Sequence, residues 1–232
     1  MVNSNTLINF ILFISIIIGI FLRLFNINYD DLWIDEMATF WVTDPSLNFS
    51  EMIERHKETE LAPQFYYFII YLLHKIFGYD PEVGRYFSSY IGILSIFSTG
   101  YLIHIIAKNN AYKLGIFLIS FNVFLISYSM EMRTYMLMFF IATLSLITIF
   151  KYLEIKKNYL LLLFFITQIC LILTHPFSLI IFASISILPI YQYIFKHPVD
   201  KNFIITLAIT GISILMITYL HYSNLKIGSD YL

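Results

Sequence analysis

The chain has 232 residues, of which 59% are hydrophobic and only 12% are charged, and its net charge at pH 7 is −1. Soluble globular domains carry about 25% charged residues, so this composition, with a mean hydropathy of +0.77, indicates an integral membrane protein. The near-neutral charge gives no support to nucleic-acid binding, for which a basic patch is expected. A lone Cys170 excludes an internal disulfide.

Seven apolar segments are long enough, or nearly long enough, to cross about 30 Å of hydrocarbon. They are residues 7–25, 86–107, 114–129, 134–150, 159–174, 177–195 and 203–222. The first segment has no Lys or Arg before it and no small-x-small cleavage site, so we expect a retained span and not a signal peptide. The sequence therefore predicts an all-α, multi-pass membrane protein that forms a single module over 1–232.

An eighth apolar segment, Gln64–Phe77, decides the topology. It is shorter than the others, follows Pro63 and contains Lys75. We predict that it lies in the membrane interface or dips partway into the membrane, a position that suits amphipathic helices with aromatic and basic side chains. The aromatic residues that favour this position are Tyr66, Tyr67 and Tyr71.

If that segment does not cross, the lysine-bearing loops between spans share one face of the membrane. These loops contain Lys108 and Lys113, then Lys151, Lys156 and Lys157, then Lys196 and Lys201. Lys and Arg accumulate in cytoplasmic loops, which predicts that this face is cytoplasmic. The long loop 26–85 is then extracytoplasmic, together with the turn at 130–133 and the His175-Pro176 turn.

Four carboxylates, Asp30, Asp31, Asp35 and Glu36, crowd the stretch 26–41 directly after the first span. Two indole rings in the same stretch favour the headgroup level, so we expect this loop to lie on the membrane interface. Asp31 and Asp35 are four residues apart and could share a helical face. Three interpretations stay open: a general base for a hydroxyl acceptor, a carboxylate pair for a divalent cation, or a solvated acidic loop.

A second polar cluster follows the third predicted span and contains Glu131, Arg133 and Tyr135. The predicted topology places it on the same face as Asp35, where a guanidinium can hold a phosphate through two parallel hydrogen bonds. The alternative is that Glu131 and Arg133 pair with each other or reach toward the headgroups. Arg85, at the mouth of the second span, is either a further phosphate ligand or an interface anchor.

Two other polar positions have two interpretations each. His175 either donates to a ligand oxygen or ends a helix, and Glu60 belongs either to a site or to a solvated charged segment. Within the spans, Asn122 and Gln168 are predicted to join helices by hydrogen bonds.

The order of these signals resembles a known enzyme family. A first span is followed by Trp33-x-Asp35-Glu36, a Pro-led aromatic helix that ends at Phe77-Gly78, Arg85, and finally Tyr128-Ser-Met-Glu-Met-Arg-Thr-Tyr135. This order is similar to that of GT-C type membrane glycosyltransferases. The nearest resemblance is to bacterial relatives of the dolichyl-phosphate-mannose protein mannosyltransferases and of the aminoarabinose transferase that acts on lipid A.

The resemblance implies a transferase whose site faces away from the cytoplasm and that takes a sugar from a polyprenyl-phosphate carrier. The acceptor would be a lipid, glycan or protein hydroxyl, and one displacement would invert the anomeric carbon. By similarity Asp35 is the catalytic base, Glu36 stands beside it, and Glu131 is the second acid. The predicted substrate-binding residues are Arg133, Arg85, Glu60, His175 and Tyr135, and a divalent cation, if present, would use Asp35, Asp31 and Glu131.

The sequence departs from the family in two respects. The lysine that some relatives carry after the acid matching Glu60 is Leu61 in this chain. The family's C-terminal part has no counterpart, which leaves a truncated product, a minimal enzyme or a subunit that needs a partner as alternatives. The competing hypotheses are a small transporter or channel-like protein, which should place ionisable groups in mid-membrane or show broken helices, and a non-catalytic subunit derived from the enzyme.

Overall fold

The computed structural model describes residues 4–28, 30–195 and 197–225, and every regular element within them is an α-helix. Three short helices occupy the loop after the first span: α2 (Ile34–Val42), α3 (Phe49–Thr59) and α4 (Phe65–Phe77). The other nine are α1 (Ser4–Leu24), α5 (Pro81–Ala107), α6 (Ala111–Ser120), α7 (Val123–Ser129), α8 (Tyr135–Ile155), α9 (Asn158–Ile172), α10 (Ser178–Ser186), α11 (Leu188–Ile194) and α12 (Lys201–Ser223).

Four helices, α1, α5, α8 and α12, are long and apolar enough to cross a membrane, and the bent pair α6–α7 would be a fifth. These helices fit a multi-pass membrane protein, but the predicted number of seven spans is not confirmed. Helix α9 has 15 residues, about 22 Å at 1.5 Å per residue. The predicted span 177–195 is interrupted between α10 and α11, directly before Leu188-Pro189. The proline of this pair cannot donate a backbone hydrogen bond.

The helices pack side by side in one bundle, and the loops that connect them lie at its two ends. At one end, which we call the lysine end, Lys108 lies 3.2 Å from Glu154 and Lys156 lies 3.4 Å from Asp200. At the other, which we call the acidic end, the Met132 N–H donates to Glu36 at 2.7 Å. The two predicted polar clusters therefore share one end, as expected, while Lys196, Tyr29 and the tail 226–232 lie outside the described residues.

Helix α4 has both of its ends at the acidic end of the bundle. The Phe65 N–H at its start donates to Leu173 O at 3.1 Å, and His74 Nδ1 near its end lies 3.1 Å from Thr43 O. Its tyrosines do not face the membrane, however. All three are at most 3% exposed and belong to the main hydrophobic core, so they give no support to the predicted interface position: Tyr66, Tyr67 and Tyr71.

A break between α6 and α7 bends this pair by 56°. The Asn122 side chain accepts from the Leu125 N–H and so begins α7, which corrects its predicted role between helices. Gln168, by contrast, donates to Ser145 at 2.6 Å and joins α9 to α8, as expected.

Arg23, which is fully buried in α1, stabilises the end of α6 at the break between α6 and α7. Its guanidinium donates to the carbonyls of Ile119 and Ser120, the last residues of α6, at 2.9 and 3.2 Å. A cation near the C-terminus of a helix is favoured by the helix dipole and satisfies free carbonyls. Next to it, α5 approaches α7 so closely that a Cβ at Gly92 would lie 2.1 Å from the Ser129 hydroxyl oxygen.

We predict that the acidic end faces out of the cytoplasm, because lysines concentrate at the opposite end. Single cysteines at Ser50, Asn110 and Asn158, each exposed, would be introduced into a Cys170→Ala background. In intact cells an impermeant maleimide should label only the Ser50 variant. Labelling at Asn110 without permeabilisation would reverse the orientation, and detergent-solubilised protein is the control for accessibility of all three positions.

A buried histidine in α3 predicts a pH-dependent stability. Burial, followed by the charge of His221, lowers the pKa of His56 to about 4. Since an unfolded histidine titrates near 6.5, this contribution to stability is complete above about pH 6.5 and is lost as the pH falls toward 4. We expect roughly 2 kcal/mol less stability at pH 5 than at pH 7 from this group.

The measurement is detergent-phase unfolding of the wild type and of His56→Phe, which keeps the edge-to-face contact with Tyr67. The wild type should lose more stability than the variant between pH 7 and pH 5, whereas exposed His104→Gln should follow the wild type. Parallel curves for wild type and His56→Phe would contradict the assignment.

Candidate functional site

A buried ion pair between α2 and α5 is the centre of the acidic end. Arg85 Nε and Nη2 donate to the two carboxylate oxygens of Glu36 at 3.0 and 2.6 Å, and the residues are 5% and 1% exposed. The other oxygen contact of Glu36 is with the backbone of the turn before α8, through the Met132 N–H. This carboxylate therefore joins three segments of the chain.

Arg85 has no donor left for a ligand. Its remaining N–H groups point to backbone carbonyls of the loop after α1, those of Ile27, Asp30 and Asp31, at 3.1, 3.0 and 3.5 Å. The predicted phosphate-binding role of Arg85 is therefore corrected to a structural one, and Glu36 serves as its counter-ion and not as a free acid.

A second buried ion pair lies beside the first and includes Arg133. Its Nη1 contacts Glu60 Oε1 at 2.8 Å, Thr39 Oγ1 at 2.9 Å and the Asp35 carbonyl at 2.8 Å. Glu60 is 5% exposed, so it is part of the site and not of a solvated segment. The alternative of a Glu131–Arg133 pair was wrong, because Arg133 pairs with Glu60 and Asp35 instead.

Two nitrogen atoms of the Arg133 guanidinium make no hydrogen bond within the described residues. Its Nε is buried and has no hydrogen-bond partner among the described residues, and its Nη2 lies 3.7 Å from an Asp35 carboxylate oxygen. Burial works to lower the pKa of Arg133, but its neighbours Tyr67, Glu60 and Asp35 outweigh this effect, so the net pKa is raised and the charge persists.

Asp35 differs from Glu36 and Glu60, the other carboxylates that form these ion pairs, because its side chain is 42% exposed. It lies in the first turn of α2, and the next residue, Glu36, is directed about 100° away around the helix. The expectation that Asp31 shares this face was wrong, since α2 begins at Ile34 after an extended Trp33. Asp31 lies in the non-helical segment before it.

A cleft of about 580 Å³ opens on the other side of Glu36, and its polar lining is mainly acidic. Asp30, Asp31, Glu36 and Glu131 line it together with Arg85, and α7 supplies an apolar wall. Burial raises the pKa of Glu131, and a hydrogen bond from Ser127 opposes this effect. Asp35 does not line this cleft, so the structure separates the two predicted catalytic acids.

An aromatic strip lies at the start of α8. Tyr135 has its ring centroid 4.9 Å from that of Tyr128 and 5.6 Å from that of His175, which in turn contacts Phe177 at 4.8 Å. Burial, and then the charge of Arg133, lower the pKa of His175, so its ring is neutral at pH 7. Its Nδ1 accepts from the Phe177 N–H at 3.2 Å, which leaves the proton on Nε2.

The residues predicted for a divalent cation do not come together. Within residues 4–28, 30–195 and 197–225, no group of three or more His, Cys, Asp or Glu side chains could hold a metal ion. Asp35, Asp31 and Glu131 are therefore not a ligand set in this structure.

Two polar residues near the site were not predicted from the sequence. Thr39, one turn after Asp35, accepts from Arg133 and carries no distinguishing signal in the sequence. Arg23 did carry a signal in the sequence, since a charged residue inside an apolar span faces the protein interior. Its backbone carbonyl accepts from Ser89 at 2.6 Å, which links α1 to α5 below the site.

Comparison with protein-family models, curated proteins and solved structures finds no match to this chain.

We predict that Glu36→Gln strongly destabilises the protein. The amide still accepts from the Met132 N–H but leaves Arg85 as an uncompensated buried charge, and breaking a buried pair costs about 3–5 kcal/mol. Lys108→Gln is the matched control, because it removes one charge from an ion pair with a side-chain exposure of 70% on the lysine, worth about 1 kcal/mol or less. Thermal unfolding in detergent measures both, and equal losses would remove the structural role of the Glu36–Arg85 pair.

Proposed function

We propose that this chain is a membrane glycosyltransferase that moves a sugar from a polyprenyl-phosphate carrier to a hydroxyl acceptor, with Asp35 as general base. The observation that carries the proposal is the contrast between Asp35 and its neighbours. Asp35 is exposed and lies 3.7 Å from Arg133, while Glu36 and Glu60 are buried in ion pairs. A base that must meet an incoming hydroxyl has to be accessible, and this carboxylate is.

The chemistry of the transfer requires a proton acceptor and a cation close to each other. The acceptor hydroxyl loses its proton to Asp35 as its oxygen attacks the anomeric carbon, and the bond from that carbon to the phosphate oxygen breaks. The carrier phosphate leaves with the electron pair, so one displacement inverts the anomeric carbon. General-base assistance of this kind contributes about 10²–10⁴-fold.

Arg133 is the residue that supports the phosphate side of the proposal. Glu60, Thr39 and the Asp35 carbonyl occupy Nη1 and Nε is buried, which leaves Nη2 to donate to a phosphate oxygen. A guanidinium fixed in this way is preorganised and gives up little side-chain entropy on binding. His175, whose pKa is lowered in part by the charge of Arg133, and Tyr135, whose ring lies 5.6 Å from that of His175, are the further donors that we propose for the substrate.

The acidic cleft suits the acceptor better than the carrier phosphate. Its carboxylates repel a phosphate, whereas a hydroxyl-bearing lipid, glycan or protein segment carries no such penalty. Glu131, whose pKa is raised by burial, lines the same cleft. Because Asp35 does not line this cleft, the cleft would hold a part of the acceptor away from the reacting hydroxyl, on the face opposite the lysine end.

A transporter is the alternative, and the broken pair α6–α7 is the observation that would favour it. The buried cation at this break, Arg23, is 0% exposed and spends its hydrogen bonds on the α6 carbonyls. It is therefore held as a structural group with no access to solvent. The exposed acids of the described residues lie at the two ends of the bundle and not along a path through it.

The proposal predicts that Asp35→Asn abolishes transfer while it preserves donor binding. The amide keeps the size of the side chain but cannot take a proton, so the single-turnover rate should fall by roughly 10²–10⁴-fold. The measurement is transfer from a radiolabelled polyprenyl-phosphate sugar by the full chain in proteoliposomes, with donor binding determined separately.

Glu54→Gln is the control, because it neutralises an exposed acid in the same loop outside the site; it should transfer like the wild type. Near-normal transfer by Asp35→Asn would remove Asp35 from the mechanism. A wild-type chain that binds no polyprenyl-phosphate sugar would overturn the function itself.

A further inference from the structure

We propose a binding site for an anionic phospholipid between α1 and α6 at the lysine end of the bundle. This site is independent of the proposed transferase activity and lies at the opposite end from Asp35. It consists of a groove with apolar walls and a single cationic side chain at its mouth, Lys113.

The shape of the groove follows from how the two helices cross. Toward the acidic end they touch so closely that a Cβ at Gly19 would lie 2.8 Å from the Cβ of Ser120. Toward the lysine end they diverge and leave a groove of about 350 Å³. A volume of this size is within the range of about 300–1,000 Å³ of ligand sites.

The walls of the groove are aliphatic and aromatic side chains that no other helix covers. Ile8 and Ile11 from α1 and Leu114 and Phe117 from α6 are between 41% and 61% exposed. In a bilayer these surfaces face acyl chains, and a methylene chain that fills the groove restores the packing that the diverging helices lose.

The mouth of the groove selects the head group by charge. Lys113 Nζ is held at 2.8 Å from Asn9 Oδ1, and no described acid lies within ion-pair distance of it. Other lysines of this end, such as Lys108 and Lys156, are already paired with carboxylates. The exposed amide of Asn110 lies beside Lys113 in the lining.

An ammonium group and an amide donor above an apolar groove fit a lipid phosphate whose head group adds no positive charge. Basic pockets between spans on the cytoplasmic side hold anionic head groups for this reason. Phosphatidylcholine, whose choline cancels the phosphate charge, should bind less well. The occupant is thus the anionic lipid itself, since free phosphate has no chain to fill the groove.

The test uses the purified full chain and native mass spectrometry with phosphatidylglycerol and phosphatidylcholine of identical acyl chains. The wild type should retain phosphatidylglycerol preferentially. Lys113→Gln should lower that retention about fivefold and leave phosphatidylcholine unchanged, whereas Lys201→Gln, which removes an exposed lysine outside the groove at the same end, should change neither. Equal retention of the two lipids by the wild type, or equal effects of the two variants, would overturn the site.

A second measurement does not depend on the folding of the Lys113 variant. In a Cys170→Ala background, an Asn110→Cys thiol should react with a maleimide more slowly in phosphatidylglycerol nanodiscs than in phosphatidylcholine nanodiscs. The same comparison at Asn158→Cys, which is exposed at the same end but outside this groove, should show no difference. Inorganic phosphate should not protect Asn110→Cys; protection by phosphate alone, or none by phosphatidylglycerol, would refute the lipid assignment.

Discussion

The bidentate contact between Glu36 and Arg85 is the constraint on which the acidic end depends. Burying two charges costs several kcal/mol for each ion, and the cost is repaid only when every remaining donor and acceptor finds a partner. Arg85 meets this condition through carbonyls of the loop after α1, and Glu36 through the Met132 N–H. Because each partner comes from a different segment, the pair fixes the loop, α5 and the start of α8 in one arrangement.

This arrangement gives two adjacent acids opposite environments. Glu36 points into the protein and is neutralised, so its neighbour Asp35 must point toward the second pair and toward solvent. Arg133 then receives two carboxylates of different accessibility, the buried one of Glu60 and the exposed one of Asp35. Of the three carboxylates in these two ion pairs, only that of Asp35 stays accessible, beside a guanidinium with an unused Nη2.

The sequence predicted the features that depend on composition over many residues. The all-helical class, several apolar helices long enough to cross a membrane, and the meeting of the two polar clusters at one end of the bundle are found. The partners of the ion pairs were not predictable, because Glu36 and Arg85 are 49 residues apart and Glu60 and Arg133 are 73 apart. Spacing rules describe only neighbours within one element, and they also misled for Asp31, which precedes the helix.

The number of spans shows a different limit. Hydropathy measures how apolar a segment is but does not detect where its helix breaks, and the breaks at Asn122 and Leu188-Pro189 lie inside continuous apolar runs. The core tyrosines of α4 illustrate the same point, since an aromatic residue suits both a lipid interface and a protein interior. Only the tertiary contacts distinguish the two environments.

Arg23 has a consequence for the biogenesis of the protein. Besides the Gly19 carbonyl of its own helix, the carbonyls that accept from its guanidinium are 96 and 97 residues later in the chain, so they do not yet exist when the ribosome has made α1. Arg23 lies in the last turn of α1, where a long cationic side chain can reach the headgroups. We therefore expect its guanidinium to stay hydrated there until α6 has been synthesised and the α6 carbonyls replace the water.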